Sequence, residues 1–153
     1  MQPTNLERLL SETLVMNPQL NSPNVELSVR LPLHRVIGDA TALMQVFSNL
    51  LTNAVKFVPA DRKPIVKVWT EQRGDTVRVC VKDNGIGIPA KDRERIFKMF
   101  ERLQPKWKYE GNGIGLTIVR RAVERMQGVL GVDSTEGQGS TFWVELKSVA
   151  ARN

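Results

Sequence analysis

At 153 residues the chain has the size of one domain, enough to bury roughly two-thirds of the surface its unfolded form exposes. Its 41% apolar and 25% charged residues are average for a globular protein, which excludes disordered and collagen-like classes, and no apolar run reaches the ~18 residues of a membrane span. A single cysteine, Cys80, excludes an internal disulfide, and Met1-Gln2-Pro3 does not open a secretion signal, so the expectation is a cytoplasmic domain making no membrane contact.

Twenty-two Lys and Arg against 16 Asp and Glu give a net charge of +6. Residues 91–125 hold ten positive and five negative side chains, so most of that excess lies in one quarter of the chain and marks where an anionic partner belongs. Nucleic acid, a polyphosphate nucleotide and an acidic protein face would each satisfy such a field.

In chain order, Leu6, Leu9, Leu10, Thr13 and Leu14 recur at helical spacing until Pro18 and the 21–24 cluster stop the pattern. Val25, Leu27, Val29 and Leu31 alternate as a strand, and 35–38 reads as a second short one. Asp39 then caps a helix whose apolar stripe is Leu43, Val46, Phe47, Leu50, Leu51 and Ala54, with Gln45, Asn49, Asn53 and Lys56 on a neighbouring face and Pro59 as its end. Residues 64–72 and 76–83 form a hairpin around Arg73-Gly74-Asp75, with Cys80 on the face opposite Val77, Val79 and Val81. A sharp turn at 83–89, a short helix near 90–97 and a basic loop over 98–112, long enough to serve as a lid, come next. The cluster Gly111-Asn112-Gly113-Ile114-Gly115 precedes a helix carrying Leu116, Val119, Ala122, Val123 and Met126, and strands 129–134 and 140–147 close the chain around Glu136-Gly137-Gln138-Gly139.

Three places could carry chemistry. Asn49 and Asn53 stand four apart on one side of a helix, where asparagine is a poor fit, and they are either a solvated face or an amide oxygen offered to Mg²⁺ with Lys56 one turn on for phosphate. Asp83 ends an apolar strand before Gly85 and Gly87, and is either an Asx-type turn or a pocket-floor carboxylate accepting from an exocyclic amine while bare glycine backbone lets the base approach. Exposed N–H groups at a helix start after Gly113 and Gly115 suit phosphate, although neither a dinucleotide fingerprint nor a P-loop is present.

The order of these features is more specific than any one of them. Residues 45–57, 83–89, 97–103, 111–116 and 137–142 resemble, in sequence, the N, G1, F, G2 and last glycine boxes of the ATP-binding catalytic domain of sensor histidine kinases, within the superfamily shared with gyrase, Hsp90 and MutL. The resemblance implies an α/β fold, a two-layer sandwich with a mixed, mostly antiparallel sheet covered on one face by helices. It implies one catalytic domain over 1–153 without the dimerisation and phosphoacceptor domain, binding ATP and Mg²⁺ as a monomer, and passing the γ-phosphoryl group to a histidine on a separate helix and then to a response regulator, with no nucleic-acid partner.

Carried over by residue, the resemblance implies that Asn53 holds Mg²⁺ and that Asn49 lies beside the triphosphate. Lys56 and Arg102 contact phosphates, Phe57 packs near adenine, and Asp83, with Gly85, Gly87 and Ile88 behind it, takes the adenine amine, helped through water by Ser140 or Thr141. Gly113, Gly115 and Leu116 line the return of the lid. Asn49 stands where ATP-hydrolysing clamps place a glutamate, so hydrolysis should be poor; a clamp-type ATPase or a serine-kinase, anti-sigma-type regulator is the alternative. Asn112 and Gln127 depart from the usual pattern, Gln127 where glycine is common. The only histidine, His34, is read as incidental, Arg73-Gly74-Asp75 as a hairpin tip, Phe97, Met99 and Phe100 as lid-anchoring core, and Trp107 as too isolated to stack nucleic acid.

Overall fold

The computed structural model describes residues 1–21, 23–88 and 112–149, with 112–115 described by backbone alone. The expected short helix near 90–97, the segment 97–103 with Arg102, Gly111 and almost all of the basic loop lie outside the described residues.

Along the described chain run β1 (Gln2–Thr4), α1 (Leu6–Met16), a 3₁₀ turn (Pro18–Asn21), β2 (Glu26–Val29), β3 (Val36–Gly38) and α2 (Ala40–Lys56). After them come β4 (Ile65–Arg73), β5 (Thr76–Asp83), α3 (Asn112–Arg125), β6 (Val129–Thr135) and β7 (Gly139–Lys147). The short strand β1, too brief to show in the sequence pattern, pairs with β3 in a two-stranded sheet. The main sheet has the order β2-β4-β5-β7-β6, parallel between β2 and β4 and antiparallel elsewhere, which is the expected mixed sheet.

Strand alternation sends one set of side chains to the helices. Val66, Val68, Val77, Val79, Val81, Phe142, Val144 and Leu146 are buried there against Leu43, Phe47, Leu50, Leu51, Leu116, Val119 and Val123 from α2 and α3. Asp39 caps α2 as expected, its carboxylate accepting from the Ala42 amide at 2.9 Å. The helix ends at Lys56 with Phe57 as its C-cap, two residues before Pro59.

The start of α3 corrects one expectation. The helix begins at Asn112, so Gly113 and Gly115 lie in its first turn instead of leading up to it. The amides of that first turn, which have no partner within the helix, are therefore those of the glycine segment itself.

The end of α3 explains an oddity of the sequence. Gln127 has φ of 60°, and the Gly128 amide bonds back to the Val123 carbonyl at 2.9 Å, a Schellman closure. Gly128 cannot carry a side chain, because a Cβ would sit 2.6 Å from the Glu145 carbonyl. The left-handed position one residue earlier is held by glutamine, where glycine would be unstrained.

The opposite face of the sheet carries the row Trp69, Cys80, Trp143 and Gly131 in register across four strands. Arg30 lies over the Trp69 ring at 5.7 Å and Arg78 over the Trp143 ring at 3.7 Å. Cys80 is buried between the tryptophans although it points away from the helices, and burial pushes its thiol up to about 12.

Candidate functional site

Three strands bring their ends together on the helix-facing side of the sheet. On β5 the inward positions are Val77, Val79, Val81 and then Asp83; on β7 they are Leu146, Val144, Phe142 and then Ser140; on β6 they are Leu130, Val132 and then Ser134. Asp83 pairs with Ser140 and Ser140 with Ser134, so one pleat of the sheet changes from apolar to polar at its edge. The pleat below it holds Val81, Phe142 and Val132.

Asp83 is 2% exposed. Its Oδ1 accepts from the Gly85 amide at 2.8 Å, whereas Oδ2 is buried without a partner. Burial pushes this carboxyl up to about 6, against the opposing pull of the Gly85 and Ser140 backbone amides.

The last turn of α2 reaches the same place through the backbone. Asn53 is 5% exposed and its Nδ2 has no partner, while its carbonyl accepts from the Phe57 amide at 2.9 Å. The Phe57 carbonyl in turn accepts from the Ile86 amide at 3.0 Å, and its ring stacks on Phe142 with centroids 6.4 Å apart. Phe57, Asp83 and Ser140 therefore meet at one end of the sheet, with Asn53 one helical turn before Phe57.

The glycines also serve packing, and Gly87 takes the positive φ expected of a turn glycine. A Cβ at Gly85 would lie 2.6 Å from the Phe57 carbonyl, and one at Gly87, whose φ is +74°, would lie 2.2 Å from the Thr135 carbonyl. Bare backbone is needed at both so that the turn can pack on neighbouring chain, before any base approaches. Beyond the turn, Ile88 is 1% exposed and its amide donates to Ser134 Oγ at 2.7 Å.

Other expected residues are placed with equal definition. Asn49 donates from Nδ2 to the Gln45 carbonyl at 2.8 Å, which leaves its amide oxygen as the end open to a ligand. Lys56 is exposed at the end of α2, and Leu116 is fully buried in the core. Thr141 is corrected: it pairs with Lys82 and Asp133 on the opposite face of the sheet, so of the two hydroxyls only Ser140 stands beside Asp83. His34 lies elsewhere, its Nδ1 2.6 Å from Thr70 Oγ1.

Two residues were not singled out by the sequence reading. Ser134 is marked in retrospect as a polar residue on the apolar parity of its strand. Asn84 accepts from the Ile65 amide at 2.8 Å and donates to the Lys63 carbonyl at 3.0 Å, clamping the α2–β4 loop to the glycine turn; no periodicity marks it.

These residues can receive an amine at Asp83, an apolar ring system near Phe57, and a cation or phosphate near the amides of α2. The family model for the histidine kinase-, DNA gyrase B- and HSP90-like ATPases matches residues 38–150, and the chain belongs to that family. The chain is 35% identical over 144 residues to phytochrome-like protein Cph1 of Synechocystis sp., covering 94% of this chain and 19% of that one. Its fold superposes on the catalytic domain of histidine kinase ThkA with a TM-score of 0.77 and 28% identity over 97% of each chain. It also superposes on full-length ShkA in complex with AMPPNP with a TM-score of 0.77 and 32% identity, covering 96% of this chain and 31% of ShkA. The domain is thus of the histidine-kinase catalytic type, and it spans about a fifth of the length of the curated relatives it matches.

Proposed function

We propose that the chain binds ATP with Mg²⁺ and delivers the γ-phosphoryl group to a histidine on a separate dimerisation segment, for onward transfer to a response regulator. The observation that carries this reading is where unsatisfied polar atoms fall. Among the described residues three buried side-chain polar atoms lack a partner, and two of them are Asp83 Oδ2 and Asn53 Nδ2. Buried groups left unpaired are costly, and a ligand amine donating to Asp83 Oδ2 together with a ligand acceptor, such as a phosphate oxygen, at the Asn53 Nδ2 donor would supply the missing partners.

Asp83 accepts from the adenine amine through Oδ2, with Ser140 beside it. The Phe57 and Phe142 rings lie beside this pleat and suit the apolar purine. An amide oxygen of Asn53 or Asn49 suits a hard cation that takes its remaining oxygens from phosphates and water. Mg²⁺, when bound, neutralises charge on the phosphates during transfer. Lys56 and Arg102 are assigned to the phosphates, and Asn53 to the metal.

Asn49 offers an amide where a water-activating clamp needs a carboxylate, so hydrolysis without an acceptor should be slow. An acceptor histidine is its own nucleophile and removes that need. A cytoplasmic placement follows from the requirement for ATP.

Titration calorimetry with ATP and Mg²⁺ tests the first half. Binding is expected, weakened ten- to a hundredfold by Asp83→Ala. Incubation with a histidine-bearing dimerisation helix in trans tests the second, through formation of acid-labile phosphohistidine. Sustained ATP turnover with no acceptor would instead favour a clamp-type ATPase.

A further inference from the structure

We propose that Ser134 is a positioning residue for adenine recognition, its hydroxyl setting the orientation of the Ser140 hydroxyl beside Asp83 and fixing the exit of the glycine turn at Ile88. This deepens the nucleotide reading above and rests on it.

Ser134 is 8% exposed and continues the inward series of Leu130 and Val132, where packing alone would select an apolar residue. It accepts from the Ile88 amide at 2.7 Å, its oxygen is 2.7 Å from Ser140 Oγ, and it lies 3.1 Å from the Gly139 carbonyl. A hydroxyl has one proton to give. If Ser134 gives it to Gly139, it accepts from Ser140, and Ser140 presents lone pairs to its surroundings. If Ser134 gives it to Ser140, the Ser140 proton is released for another acceptor. In both arrangements a side chain two strands across from Asp83 decides what Ser140 presents there.

The second link is mechanical. The two glycine turns are joined by the Gly137 amide on the Ile86 carbonyl and by the Ile88 amide on Ser134 Oγ. The first bond is backbone only and survives any substitution at 134. The second depends on this hydroxyl, so removing it frees the last residue before segment 89–111 from the strand that also carries the Ser140 contact.

The test compares binding of ATP with binding of purine riboside 5′-triphosphate, which lacks the 6-amino group, by the wild-type chain, Ser134→Ala and Ser134→Thr. The wild type is expected to favour ATP; Ser134→Ala should reduce that preference about fivefold, and Ser134→Thr, which keeps the hydroxyl, should hold it within about twofold. Adding Ser134→Ala to Ser140→Ala should lower the preference no further, because the two act as one unit. Equal weakening of both ligands by Ser134→Ala, with the preference intact, would reveal a merely structural hydroxyl and overturn the proposal, as would loss of the preference in Ser134→Thr. If Ser134→Ala does not fold, Ser134→Cys, of similar shape with a weaker acceptor, is read in its place by the same criterion. A wild type that binds neither triphosphate defeats the nucleotide reading and this proposal together, whereas a wild type that binds both equally defeats the role given to Asp83.

Discussion

At neutral pH Asp83 is a buried carboxylate with one oxygen unpaired, and this single residue gives the empty protein and its complex opposite responses to pH. Its folded-state value of about 6 exceeds the ordinary 3.8. Between those values the unfolded chain has lost its proton while the folded one keeps it, so stability falls as pH rises through this window, by on the order of 3 kcal/mol. Asp83→Asn is therefore expected to raise the Tm of the ligand-free protein at pH 8 and to leave it nearly unchanged at pH 3.5, as thermal denaturation followed by circular dichroism would show. Nucleotide affinity runs the other way, because the amine needs the charged acceptor. Calorimetry at pH 5 should give ATP binding about tenfold weaker than at pH 8, and a flat profile would remove Asp83 as the acceptor.

Within single elements, conformation and close packing make two further predictions. Gln127 holds a left-handed position at the end of α3, in the turn closed by the Gly128 amide on the Val123 carbonyl. Gln127→Gly relieves strain and gives back some unfolded-state entropy, for a net gain of about 0.5–1 kcal/mol, which raises Tm by about 1–4 °C. In β6, a Cβ at Gly131 would lie 2.1 Å from the Trp143 ring. Gly131→Ala should cost about 1–3 kcal/mol by overpacking, read from the denaturant midpoint, and should expose Cys80 to thiol reagents as Trp143 is displaced. Unchanged Cys80 reactivity would mean that Trp143 does not cover it.

For the whole molecule, the site joins elements distant in sequence. Asn53 and Phe57 come from the end of α2, Asp83 to Ile88 from the end of β5, and Ser134 with Ser140 from the β6–β7 hairpin. A ligand that touches all three should stabilise the domain as one unit. With ATP at a hundred times its dissociation constant, binding contributes about 2.7 kcal/mol and raises Tm by about 5–10 °C. Asp83→Asn should lose most of that rise under the same nucleotide concentration. On the sheet's other face Arg78 lies over the Trp143 ring and Arg30 over the Trp69 ring, and their side chains shelter those tryptophans from water.

Much of this was legible in the chain before folding, because it is local. Periods of 3.6 and 2 mark α1, α2, α3 and the long strands, the Asp39 cap marks a helix start, and the ordered asparagine and glycine clusters mark the family. Even the inward polar positions of Asp83, Ser134 and Ser140 could be read from strand parity alone. Register could not, since it depends on which distant strand each one meets. Only the folded sheet sets Asp83 beside Ser140 and Ser134 and sends Thr141 to the other face. Only packing against distant backbone explains why Gly85, Gly87 and Gly128 tolerate no side chain, because those contacts join residues that the linear order keeps apart.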